Sequence, residues 1–144
     1  MKNIKYNHYI DSIIYSIDKI IRSVKYDLNQ KVDSLNLGIT SEQFFILDTI
    51  NSFDDIYLQK LSEVIMKDKS NITRILKVLE SKRLLEREMG NINNRLVYLL
   101  RVTDKGKDLI ERSTPKIKKY LLETFKNITD EDVEMLRTIS KKFE

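Results

Sequence analysis

Between Asp68 and Ser81, four apolar residues, Ile72, Ile75, Leu76 and Leu79, recur at i, i+3, i+4 and i+7. At about 100° per residue they fall within an arc of about 100°, the pattern of a helix laid with one side on a core. The opposite side carries Lys69, Ser70, Asn71, Thr73, Arg74 and Lys77, and no acid stands between Asp68 and Glu80. Asp68 precedes the first turn, where a carboxylate can accept the orphan backbone N–H groups. The pattern predicts a helix from Lys69 to Ser81, apolar on one face and cationic on the other.

The segments on either side limit what this helix can belong to. Upstream, Ile10, Ile13, Ile14, Ile17, Ile20, Ile21, Val24 and Leu28 mark an amphipathic helix of some 25 residues. After a coil at Asn36-Leu37-Gly38, Thr40 or Ser41 is placed to cap a helix carrying Phe44, Phe45, Leu47 and Ile50. Phe53-Asp54-Asp55 reads as a loop, and a short helix from Leu58 to Met66 is expected to bury Leu61, Val64 and Ile65. Downstream, Leu84 to Met89 runs into the turn-forming cluster Gly90-Asn91-Ile92-Asn93-Asn94. Arg95 to Val102 then alternates, with Tyr98, Leu100 and Val102 on the inward side. A two-stranded hairpin is marginal alone, so this one should lean on the helices before it. Thr103 or Asp104 opens a further helix, which Pro115 should kink or restart. Thr129-Asp130-Glu131-Asp132 resembles a capping box, with Asp in place of Glu, ahead of Val133, Leu136 and Ile139.

Composition excludes several functions. Only three Gly and one Pro occur among 144 residues, which suits a mainly α chain with few turns. The absence of Cys removes disulfides, thiolate metal sites and thiol redox sensing, and a single His, His8, argues against a His-rich metal centre. No Gly-rich phosphate loop, nucleophile elbow or His-based pair suggests an enzyme, and no cofactor is expected. The stretch from Met1 to Ile10 lacks the apolar run of a signal peptide. The longest apolar run, Leu96 to Leu100, is far short of the roughly 20 residues that span a bilayer, so a cytoplasmic protein without membrane contact is expected.

Net charge is +4, and the whole excess resides between Lys67 and Arg87, where seven basic residues meet three acidic ones. A helix, a tight connection, a cationic second helix and a hairpin follow in the order of a winged helix-turn-helix. The major groove of B-DNA is about 12 Å wide and admits one such helix, whose polar face reaches base edges. Ser70, Asn71 and Thr73 sit in the turn that penetrates deepest. Arg74 suits bidentate contact with guanine or phosphate, and Lys77 suits the backbone. At the hairpin tip, Asn94 and Arg95 would follow the adjoining minor groove, where negative potential favours Arg. The competing reading makes Arg95 a solvated turn residue.

The stretch Leu58 to Gly106 resembles the MarR (multiple antibiotic resistance regulator) family of winged-helix repressors. The resemblance lies in Asp68-Lys69-Ser70-Asn71-Ile72-Thr73-Arg74, Leu79-Glu80, Leu84-Leu85-Glu86-Arg87 and Val102-Thr103-Asp104-Lys105-Gly106. It implies one MarR-like domain over residues 1–144, mainly α with a small β-hairpin. Residues 40–106 would form the winged-helix lobe, and residues 1–35 and 107–144 the dimerisation helices. It further implies a homodimer on double-stranded DNA at an inverted-repeat operator. Members of that family are often released by a small aromatic effector, for which Tyr6, Tyr9, Tyr15 and Tyr26, with His8, are the candidate lining here; the competing reading packs these tyrosines at an interface with their hydroxyls in water. The family's wing commonly carries Asp-x-Arg, whereas Asn93-Asn94-Arg95 stands here, so Arg95 should be less firmly held. The alternative is a winged helix that binds protein and has lost DNA, but acids or apolar residues would then be expected on the face of Lys69, Ser70, Asn71, Thr73, Arg74 and Lys77, and neither is present there.

Overall fold

A computed structural model describes residue 4 and residues 6–144; Met1, Lys2, Asn3 and Lys5, part of the polar start noted above, lie outside the described residues. Six helices and one hairpin follow in chain order: α1 (Ile13–Asp33), α2 (Ser41–Asn51), α3 (Leu58–Ile65), α4 (Lys69–Ser81), β1 (Leu85–Ile92), β2 (Arg95–Val102), α5 (Asp104–Thr124) and α6 (Asp130–Ser140). The chain divides into two compact units, one of Met1–Gln30 with Lys116–Glu144 and one of Lys31–Pro115. Among the described residues, no helix is long and apolar enough to cross a membrane.

The Lys31–Pro115 unit holds the main core. Leu47, Ile56, Leu61, Ile72, Leu76 and Leu79 are each fully shielded, and each such side chain contributes about 1.5–3 kcal/mol. Thr40 caps α2 through a capping box, accepting the Gln43 N–H while the Gln43 side chain accepts that of Thr40. The hairpin is antiparallel, pairing Leu85 with Val102 and Ile92 with Arg95, so its turn is only Asn93-Asn94. The sequence reading placed the turn over residues 90–94. The strand instead persists through Gly90 because a bare Cα leaves room for Leu99, which a Cβ at 90 would meet at 2.4 Å. Asn93 and Asn94 both have positive φ, 50° and 61°, as a two-residue hairpin turn of this twist requires, and Asn tolerates that region.

Both faces of the hairpin base are covered. Leu100 and Val102 are buried on one side, while Leu99 is buried on the other and bridges Tyr57. The Leu100 N–H also donates to the Ile56 carbonyl at 2.8 Å, so this isolated bridge ties the loop before α3 to β2, a link that alternation alone did not reveal. Tyr98, expected inward, is exposed, because the hairpin extends past the helices that cover its base. Val64 is likewise exposed and Ile65 only half-buried, leaving Leu61 as the inward anchor of α3.

In the other unit, the first helix starts later than its apolar period suggests. Tyr9–Asp11 forms one 3-10 turn, and the Ser12 hydroxyl donates to the Tyr9 carbonyl (2.6 Å) and accepts the Tyr15 N–H (3.2 Å), separating that turn from α1. Thr124 Oγ1 donates to Asp27 Oδ2 at 2.9 Å. Thr129 and Asp132 complete the predicted capping box of α6. Ile10, Ile13, Ile14, Ile17, Ile20 and Ile21 are all exposed in the single chain, as are Leu122, Met135, Leu136 and Ile139. α5 runs unbroken through Pro115, where the two units meet in sequence. The Ser113 and Thr114 hydroxyls bond back to the Leu109 and Ile110 carbonyls (2.6 and 2.8 Å) in the turn that Pro115 deprives of an N–H.

Candidate nucleic-acid interface

The link between α3 and α4 is three residues long and held from both ends. Met66 closes α3 in the left-handed region (φ 58°), and Ser62 Oγ donates to the Lys67 carbonyl at 2.8 Å. Asp68 then accepts the Asn71 N–H at 2.9 Å, capping α4 as its sequence position predicts. That backbone bond is the main reason the Asp68 carboxyl titrates below the usual carboxylate range.

The four apolar residues of α4 turn inward and are buried. Lys69, Ser70, Asn71, Arg74 and Lys77 are exposed, and Thr73 is half-buried beside them. Among the described residues, no ion pair neutralises Lys69, Arg74 or Lys77. Two other cations of the basic segment do have acidic partners. Lys67 pairs with Glu42, and Arg87 Nε donates to Glu80 Oε1 at 2.7 Å, tying β1 to the end of α4. Three of the cations left without acidic partners, Lys69, Arg74 and Lys77, thereby stand together on the outward face of α4.

Asn94 and Arg95 are exposed at the wing tip, where Arg95 begins β2 opposite Ile92. Arg95 makes no side-chain hydrogen bond or ion pair among the described residues. It borders an open cleft of about 740 Å³ that Tyr57, Gln59, Ile92 and Leu96 also line. A residue overlooked in the sequence supports the base of the wing. Arg101 donates to Asp55 Oδ1 (2.7 Å), to Glu88 Oε2 (3.0 Å) and to the Asp54 carbonyl, joining the loop before α3 to both strands. An Arg on an alternating strand gives no warning of partners 46 residues away.

The tyrosines expected around an effector do not all gather. Tyr9 and Tyr15 stack edge to face with centroids 5.6 Å apart, and Tyr9 Oη donates to Asp18 Oδ2 at 2.8 Å. That carboxylate raises the Tyr9 phenol above its ordinary range and is itself held low by Tyr9 and Arg22. Tyr26 lies about three turns further along α1, accepting from Gln30, while Tyr6 and His8 are exposed.

Comparison with known proteins agrees with this architecture. Residues 39–97 match the model of the MarR family. The chain is 30% identical over 99 residues to the uncharacterized HTH-type transcriptional regulator YdgJ of Bacillus subtilis, a match covering 69% of this chain and 60% of that protein. It is 25% identical over 126 residues to the HTH-type transcriptional regulator MhqR of the same organism, covering 88% and 85% of the two chains. A mutant Escherichia coli MarR crystallised with operator DNA superimposes with a TM-score of 0.75 at 26% identity, over 95% of this chain and 99% of that one. The matching model and the shared fold are those of the MarR family of winged helix-turn-helix transcriptional regulators, which this chain resembles over its winged-helix lobe in sequence and over 95% of its length in fold.

Proposed function

We propose that this protein is a homodimeric, sequence-specific repressor whose α4 enters the major groove of double-stranded DNA. The observation that carries the reading is the outward face of α4: three cations without acidic partners stand among Ser70, Asn71 and Thr73, over a fully apolar inward face. A helix built that way is stable against its own core and matched to a polyanion. Lys69, Ser70, Asn71, Thr73, Arg74 and Lys77 form the contact on α4, and Asn94 with Arg95 the contact on the wing.

The exposed isoleucines of α1 support the homodimer, because a stripe of this length is normally covered in a soluble protein. A two-fold dimer presents two α4 helices to successive major grooves, so the operator is an inverted repeat. Release by a small aromatic ligand belongs to the same reading. Its candidate seat is the groove of about 440 Å³ that Tyr9, Tyr15, Asp18 and Arg22 line.

Gel-shift titration against selected duplexes tests the DNA assignment. Arg74→Ala should cost about 1–3 kcal/mol and flatten the preference among sites. Lys77→Ala should weaken binding to every sequence and lower the salt slope by about one. Unchanged specific binding in both variants would remove α4 as the reading helix, and a monomer by sedimentation at micromolar concentration would remove the dimer.

A further inference from the structure

Asn71 stands at the centre of a hydrogen-bonded chain along the exposed side of α4. Its backbone N–H donates to Asp68 Oδ1 (2.9 Å), and its side-chain Nδ2 donates to Asp68 Oδ2 (3.1 Å). Its Oδ1 accepts from Arg74 Nη2 at 2.8 Å. The chemistry allows one orientation of this amide: reversed, its oxygen would face the carboxylate and its NH2 the guanidinium.

An asparagine that reads adenine spends an N–H and its oxygen together on the N6/N7 edge. Here an N–H is committed to Asp68 and the oxygen to Arg74. Turning towards a base would break two bonds to charged groups, which are the stronger kind. Arg74 is in the opposite position. Only one of its five donors is engaged, and the contact orders its long side chain before DNA arrives, so less rotamer freedom remains to be lost on binding.

We infer that Asn71 is a positioning residue, linking the capping carboxylate of Asp68 to Arg74 and aiming the guanidinium at the base pair that Arg74 reads. This rests on the assignment of α4 as the DNA-reading helix. Asn71 therefore influences specificity without making a base contact of its own. The device is local to the first two turns of α4 and needs nothing from the wing.

A pool of randomised duplexes first selects the site that the intact protein prefers. Affinities are then measured on that site and on each of its single-base-pair variants, and Arg74→Ala identifies the base pair that depends on Arg74. Asn71→Ala should reduce discrimination at that same base pair about tenfold, the loss expected for one bond to a charged group. In the Arg74→Ala background it should add less than about twofold. The thermal midpoint should not fall, because residue 71 keeps the N–H that Asp68 caps and Ala is a strong helix former. Asp68→Asn, which keeps a capping oxygen but cannot accept from both Asn71 donors, should produce a smaller loss at the same base pair. Loss at a different base pair, equal loss in both backgrounds, or no loss with Asn71→Ala would each overturn the inference while leaving Arg74 as a reader. An Arg74→Ala profile identical to that of the intact protein would instead overturn the DNA-reading assignment, and this inference with it.

Discussion

Gly106, in the first turn of α5, faces the start of β1 and the end of β2 at very close range. A Cβ on it would stand 2.4 Å from the Leu84 carbonyl oxygen and 2.6 Å from Val102 Cγ1, where ordinary contact begins at 3.4 Å. The oxygen is not free to retreat, because it accepts the Thr103 N–H at 3.0 Å. Thr103 Oγ1 in turn donates to the Arg83 carbonyl (2.7 Å) and accepts the Gly106 N–H (3.1 Å), so displacement would loosen the start of α5 as well. Overpacking costs about 1–3 kcal/mol, and a clash with backbone places Gly106→Ala at the upper end. The better helix propensity of Ala returns up to about 1 kcal/mol, leaving a net loss of about 2 kcal/mol. For a chain of this size the melting temperature should fall by roughly 4–8 °C. Melts must be compared at one protomer concentration, since self-association makes the midpoint concentration-dependent. Gly90→Ala is the control: its added Cβ would meet only the Leu99 side chain, which can turn aside, so about 1 kcal/mol is expected. A Gly106→Ala protein that melts at or above the original, or a costlier Gly90→Ala, would refute this reasoning.

Met66→Gly should stabilise the protein by about 0.5–1 kcal/mol in denaturant titrations, because Met66 holds φ 58° while 88% exposed and makes up the strain with little burial. Arg101→Met, which strips a shared partner from Asp55 and Glu88, should cost about 1 kcal/mol at low salt and less at high salt, since the pairs are partly exposed; a salt-independent cost would contradict the ion-pair account. The Asp68 and Asp132 carboxyls are held below their ordinary range by the N–H groups of Asn71 and Thr129. Their stabilisation is complete above the unfolded carboxylate pKa and disappears as pH falls through the lower folded values, so melts below about pH 4 should show a decline that Asp68→Asn reduces. Arg95→Ala should weaken binding to the selected duplex less than Arg74→Ala does in anisotropy titrations, because among the described residues no side-chain hydrogen bond or ion pair orders Arg95, which must lose its rotamer freedom on binding; the reverse order would show that the wing dominates.

Where period and cap coincide, the sequence was sufficient. α4 runs from Lys69 to Ser81 with Asp68 as its cap because the apolar repeat and the capping residue specify the same boundary. α6 is delimited in the same way by Thr129 and Asp132. Legibility failed where a long-range contact competes with local pattern. Gly90 reads as a turn residue, yet it is a strand residue under Leu99, and Tyr98 reads as inward although the covering helices end before it. The bridge from Tyr57 to Leu99 left no trace, since one paired residue has no period. Ser12 illustrates a subtler failure: the isoleucine period passes straight through it, and only its two bonds mark the true start of α1.

The candidate interface was legible as composition but not as arrangement. Seven cations between Lys67 and Arg87 look equivalent in the sequence, and folding makes them unequal. Lys67 and Arg87 are drawn into pairs with Glu42 and Glu80 that brace the lobe, whereas Lys69, Arg74 and Lys77 keep their charge for the outward face of α4. The same sorting separates the two arginines best suited to DNA. Arg74 is held by a neutral amide, which orders it without cancelling its charge, and Arg95 is held by nothing among the described residues. An Asp in place of Asn71 would order Arg74 more tightly, but it would also place a second carboxylate beside Asp68 on the face proposed to meet phosphate. Asparagine at 71 therefore reconciles positioning with charge, whereas Arg95, beside Asn93 and Asn94, has no such ordering bond among the described residues.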